Sequence, residues 1–398
     1  MWKWILATVL VTTCSIGTSL IGHGFTVGMV GFWPALIAIF LSWAYLLITA
    51  LYFLEATLAR PLGANIFSIS RDYFGPLSAW IVSIIWLFIL FGTLCAFFYL
   101  TPALISDILA HHKIMLSHHL IAVLLLVAVG GILCGGIRLT LIVNMMLAAL
   151  IGLMIYQSYR LGFEQFNSSY FKTRKLEFMI LAFPILMTSL YYHILLPTVA
   201  SFLDYNIKQI RSCIVVASLV AASVFAVWCV AIASAAEQFG PENLAKLRFE
   251  YLNYEELSQM PILGAWMPYL SFMCMIAVVL AVGLAIIDFL GDLWGCPYHE
   301  RRGLKRTGLV ALALIPAYLL TAIPIKYAFG PIVYLTDFAS LFVTGLLPTL
   351  WVWSLRHSLN ERSPYITPGG NITLALTTGI ACFMFYLLGI QIIYQTSI

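Results

Sequence analysis

The stretch that decides the fold is Cys14-Ser-Ile-Gly17-Thr-Ser19-Leu-Ile21-Gly22-His23-Gly24-Phe25, which lies inside the first long apolar run of the chain. A plain membrane span needs neither three glycines nor a histidine. A transmembrane helix satisfies its backbone N–H and C=O groups internally, and an interrupted one persists only where the freed groups meet protein, water or a ligand. Gly17, Gly22 and Gly24 are positions where a helix can open, because glycine tolerates unusual backbone angles and leaves no side chain in the way. Two readings follow. One is a kinked helix whose small residues allow close packing; the other is a discontinuous helix lining a binding site.

Composition sets the class. Hydrophobic residues make up 62% of the 398 and charged residues only 9%, with a mean hydropathy of +1.00, so the chain is expected to be an all-α integral membrane protein. The net charge of +4 is small and dispersed, which argues for orientation in a bilayer and against nucleic-acid binding. Seven of the eight cysteines sit in apolar runs and no Cys-x-x-Cys occurs; they read as small packing residues. The amino-terminal run lacks a small-x-small cleavage site and reads as a first span.

Crossing ~30 Å of hydrocarbon takes ~20 helical residues. Eleven apolar runs qualify: Trp4–Phe25, Phe32–Leu54, Leu77–Leu100, His118–Gly136, Leu139–Tyr156, Phe178–Leu203, Cys213–Ala235, Gly264–Leu290, Gly308–Pro324, Ile332–Trp353 and Ile372–Tyr394. An amino terminus in the cytoplasm places twelve of the twenty Lys and Arg residues inside, notably the cluster Arg301, Arg302, Lys305 and Arg306. The positive-inside bias therefore predicts a cytoplasmic amino terminus and an external carboxyl terminus.

Span 6 carries a second disturbance, Phe183-Pro184-Ile-Leu-Met-Thr188-Ser189-Leu-Tyr191-Tyr192-His193, closed by Pro197. Proline within a span removes a donor and frees a carbonyl. Disturbances five spans apart suggest two copies of a five-span unit, and because five is odd the copies run in opposite senses. The expected architecture is a 5+5 inverted repeat, about 4–156 and 178–353, in a single transport domain over 1–398, with the helix at about 372–394 as an appendage.

These residues resemble the hydroxy and aromatic amino acid permease family, specifically its tyrosine and tryptophan branch, over nearly the whole chain. The resemblance is carried by Gly22-His23-Gly24 with Gly31-Phe32-Trp33-Pro34, by Phe183-Pro184 through Thr188-Ser189 to His193 and Pro197 with Asp204-Tyr205-Asn206-Ile-Lys208, by Val282-Gly283-Leu284 through Asp288-Phe289-Leu290, and by Leu346-Leu347-Pro348-Thr-Leu-Trp351. It implies a leucine-transporter-like fold with helices 1 and 6 discontinuous, proton symport, and import into a bacterial cell across its inner membrane. The family's first break usually reads Gly-Ala-Gly, and His23 stands here at the alanine. No cofactor is expected beyond a coupling ion, and no enzymatic activity.

The chemistry of an amino acid indicates the candidate substrate residues. Exposed N–H groups at the start of a half-helix suit a carboxylate, unwound carbonyls suit an ammonium group, and aromatic rings suit a flat side chain. Ser19, Ile21, Gly22, His23, Gly24, Phe25, Thr188, Ser189, Tyr191, Tyr192 and His193 are the candidates, although packing explains the two tyrosines equally well. Intramembrane ionisable groups are coupling or gating candidates: His23, His193, Glu55, Asp288 and Asp337. Glu55 and Asp288 lie where they can reach Arg60 and Arg301, and Asp337 can reach Lys326. His111, His112, His118 and His119 fall within nine residues, a spacing compatible with a metal ion but also with a solvated loop. Within transport, serine or a large aliphatic amino acid is the alternative substrate. A non-transporting sensor derived from a permease is the alternative class.

Overall fold

The computed structural model describes residues 1–17, 20, 31–164, 186–187, 190–239, 266–321, 329–359 and 361–396. The described secondary structure is helical throughout. Eight segments are long and apolar enough to cross a membrane, and three shorter apolar helices, Trp2–Ile16, His118–Cys134 and His193–Phe202, fall where the remaining expected spans lie. Each of the eleven runs thus has a helical counterpart.

Helix α1, Trp2–Ile16, stops at Gly17, whose φ of 36° suits glycine. A Cβ there would also meet Val278 Cγ2 at 2.8 Å. Fifteen residues extend about 22 Å at ~1.5 Å per residue, short of a full crossing. α2 spans Phe32–Leu58. A short amphipathic helix follows, α3, Ile66–Phe74, which was not expected from the apolar runs; Asn65 caps it by accepting from Ile66 N, and Ile66, Ile69 and Tyr73 turn inward. Gly75 ends it and Pro76 opens α4, Pro76–His111, whose 36 residues run through Pro102 and beyond the expected boundary at Leu100. α5 is His118–Cys134 and α6 is Ile137–Glu164.

The second half begins with a 3-10 turn, His193–Leu195, leading into α7, Leu196–Phe202. α8 (Ile207–Phe239), α9 (Met267–Leu293) and α10 (Gly303–Leu320) follow. The tenth span is α11, Phe329–Leu341, and α12, Leu347–Trp353, with a π-helical turn after each, Phe342–Leu346 and Ser354–Ser358. α13 is Gly370–Thr396.

α9 is the axial helix, buried continuously from Val279 to Gly291 and packed against α1, α4, α6 and α10. Gly283 lets it approach α5, since a Cβ there would lie 2.6 Å from Leu133 Cδ1. Asn144 of α6 ties three helices together: its Oδ1 accepts from Thr13 Oγ1 at 2.7 Å and its Nδ2 donates to Ala277 O at 3.2 Å. Outward faces are apolar, for instance Leu120, Leu124 and Val127 on α5 and Leu376 and Phe383 on α13, as a lipid-facing surface requires.

Contacts between connecting segments sort them by end. At one end Lys3 meets Asp204 at 2.6 Å, Tyr205 Oη donates to Pro61 O at 2.9 Å, Arg60 meets Glu361 at 2.8 Å, Arg301 reaches Gly63 O at 3.3 Å, and Arg306 Nε reaches Leu133 O at 2.6 Å. The amino terminus and the segments after spans 2, 4, 6, 8 and 10 therefore share one end. At the other, His112 after α4 meets Tyr269 at the start of α9, 3.1 Å apart.

Candidate functional site

The segment before the 3-10 turn, Leu190–Tyr192, is not helical. Helix resumes where Pro197 occupies the first turn of α7, a position at which the missing N–H costs nothing. The end of α1 lies against this interruption: Cys14 Sγ is 3.8 Å from Tyr191 O. The two disturbed spans read from the sequence are thus neighbours in space.

His193 is fully buried. Its ring stacks on Tyr191 (centroids 6.4 Å, 14°) and Tyr192 (5.1 Å, 28°), with Phe53 edge-on at 6.4 Å. Nε2 lies 3.0 Å from Thr49 Oγ1. Thr49 Oγ1 also lies 3.2 Å from Leu46 O; with its one proton donated there, its oxygen accepts from the ring and Nε2 carries the hydrogen. In neutral imidazole Nδ1 is then a lone-pair acceptor, and it has no bonded partner. Tyr191 Oη is also unpartnered on a half-buried side chain. Tyr192 is turned toward α2, its hydroxyl 3.5 Å from Leu46 O, so of the two tyrosines Tyr191 is the one whose hydroxyl has no partner among the described residues.

Ser19, Ile21, Gly22, His23, Gly24, Phe25, Thr188 and Ser189 lie outside the described residues. The acids stand apart from the tyrosine and histidine group. Glu55 pairs with Arg356, not with Arg60: Nε to Oε1 is 2.7 Å and Nη2 to Oε2 is 2.6 Å, and Thr367 N adds a third bond at 2.7 Å. Arg60 instead lies over the Tyr73 ring at 4.4 Å and bonds Glu361, because α3 and the segment after span 10 bring those groups to it. Asp288 does meet Arg301, at 3.3 Å, and the same guanidinium bonds Cys296 O. Asp292 accepts from Ser68 N and Oγ. Asp337 lies in α11; its expected partner Lys326 is outside the described residues. Among the described residues no group of three or more His, Cys, Asp or Glu is placed to hold a metal ion. Thr49, Arg356 and Thr367 were not singled out from the sequence; a buried threonine and a loop arginine carry no local signal.

The sequence profile of the tryptophan/tyrosine permease family matches residues 2–388. The chain belongs to this family. The permease is also similar to tyrosine-specific transport system 1 of Haemophilus influenzae, with 24% identity over 395 residues that cover 94% of each chain. The helical bundle is accordingly that of a membrane transport protein, and the acids at its end are read in that light.

Proposed function

We propose that this permease imports an aromatic amino acid, tyrosine or tryptophan, across the bacterial inner membrane by proton symport and alternating access. The observation that carries the reading is the contact of Cys14 with the carbonyl of Tyr191, which sets the end of α1 beside the non-helical segment Leu190–Tyr192. In a 5+5 inverted repeat with spans 1 and 6 discontinuous, that is where a midplane substrate site belongs. The backbone groups of Ser19 to Phe25 and of Thr188 and Ser189 would receive the carboxylate and ammonium groups, with Tyr191 beside the aromatic side chain. The end that gathers Lys3, Arg301 and Arg306 is cytoplasmic by the positive-inside rule, which puts the carboxyl terminus outside. All of 1–398 forms one transport domain. The coupling ion is the proton, with His23 and His193 as candidate carriers and Glu55, Asp288 and Asp337 in gating or structural roles.

Competition for uptake tests the substrate. In cells expressing the permease, excess unlabelled tyrosine or tryptophan is expected to suppress uptake of labelled tyrosine, and serine or leucine at the same excess to leave it unchanged. Stronger suppression by serine or leucine would move the assignment to the alternative substrates. Binding of tyrosine without uptake would indicate a sensor.

A further inference from the structure

Five polar side chains recur along α2 at intervals of three or four residues: Ser42, Tyr45, Thr49, Tyr52 and Glu55. That interval places each one a turn from the next, in a row that winds slowly about the helix from the side facing His193 to the side facing Arg356. All five are buried, none more than 4% exposed. In a membrane bundle a buried polar group is costly unless bonded. Thr49, the middle member of the row, and Glu55, its last, are bonded. Among the described residues, the hydroxyls of Ser42, Tyr45 and Tyr52 have no bonded partner, and neither has His193 Nδ1. Tyr45 Oη lies over Gly345 in the first π turn, so close that a Cβ there would collide with it. Tyr52 faces Thr373 and Thr377 of α13, with the Arg356 guanidinium 6.0 Å from its ring centroid.

Unbonded buried polar atoms are ordinarily satisfied by internal water, which makes about three bonds per molecule. Hydroxyls both donate and accept, so hydroxyls alternating with water form a chain that can pass a proton in either direction. We infer that the last three members of the row, Thr49, Tyr52 and Glu55, bridged by water, form a proton route linking His193 to the Glu55–Arg356 pair at the end of the bundle. A proton taken up at Nδ1 makes the ring an imidazolium; the Nε2 proton then leaves to Thr49 Oγ1, whose own proton turns from Leu46 O to a bridging water. One proton enters and one leaves, and the ring returns to neutral as the other tautomer. The titratable groups facing the row are His193 and Tyr192 from the span 6 segment, Arg356 from the second π turn and Cys382 from α13.

This inference rests on the proton-coupled reading above and goes beyond it in naming the path. The test uses the full-length permease in proteoliposomes, with Thr49→Val and Tyr52→Phe, singly and together, each of which removes a hydroxyl and little volume. Two rates are read: accumulation of labelled tyrosine under an imposed proton gradient, and exchange of external label for internal unlabelled tyrosine, which requires no net proton release. Tyr52→Phe with Thr49→Val is expected to lower accumulation by about tenfold or more, as loss of a positioned proton-transfer group does, while exchange stays at the unsubstituted rate. Accumulation unchanged in every variant overturns the route alone. Parallel loss of accumulation and exchange overturns it as well, since the hydroxyls would then serve folding or substrate binding. An unsubstituted permease that exchanges tyrosine but accumulates none under the gradient overturns the coupling together with the route.

Discussion

Arg356→Ala is expected to destabilise the permease by about 3–5 kcal/mol, the usual cost of leaving one member of a buried ion pair without its partner. Glu55 is 1% exposed and its carboxylate is held by both prongs of the Arg356 guanidinium and by Thr367 N. Arg356 also donates to Thr367 O at 3.1 Å, and Thr367 Oγ1 donates to Leu51 O. One arginine therefore joins α2, the second π turn of span 10 and the segment leading to α13. Thermal unfolding in detergent, followed by loss of monodisperse protein, measures the effect. Glu55→Gln in the Arg356→Ala background should recover a large part of it, because the buried negative charge is gone. An Arg356→Ala protein that melts with the unsubstituted one would show that this pair does not hold the end of the bundle.

The second large effect is expected at Gly291. This glycine of α9 lies beneath the Arg301 side chain: a Cβ added there would collide with Nε and stand 2.7 Å from Cζ. Arg301 is 5% exposed and bonds Asp288 Oδ1, Asp288 O, Cys296 O and Gly63 O. Gly63 itself has a φ of 91°, and a Cβ on it would stand 3.0 Å from Tyr298 Cβ, so the segment after span 2 can reach the guanidinium only through a glycine. Gly291→Ala should then reproduce Arg301→Met, both costing roughly 3 kcal/mol by unpairing Asp288, although only one of them changes a charge. The double substitution should cost little more than either alone, since they break the same contacts. Additive losses would mean that Gly291 and Arg301 act separately.

Much of the architecture is legible in the residues themselves. Hydropathy and length locate each span, and glycine and proline mark where spans 1 and 6 depart from regular helix: Gly17 ends α1, and Pro197 sits in the first turn of α7. The alternation of ends follows from the count of crossings and is matched by the ion pairs at one end. Features with no apolar run behind them were harder to see. α3 has nine residues, too few for a spanning pattern, although Asn65 followed by Ile66, Ile69 and Tyr73 is a capped amphipathic signal. Span 3 is expected to end at Leu100, yet α4 continues through Pro102 to His111; a single proline is tolerated within a membrane helix. The partner of Glu55 lies 301 residues away; Arg60 was the nearer arginine in sequence, and only packing of span 10 on α2 decides between them. The His193–Thr49 bond is likewise a matter of which turn of α2 faces the interruption.

The measurement that tests the central claim most directly is accumulation of labelled tyrosine and tryptophan in proteoliposomes under an imposed proton gradient, with and without an uncoupler, in the presence and absence of sodium. The account predicts accumulation above the external concentration that the uncoupler abolishes and that sodium does not alter. Accumulation that persists with the uncoupler but needs sodium, or binding of both amino acids with no accumulation under any gradient, would contradict it.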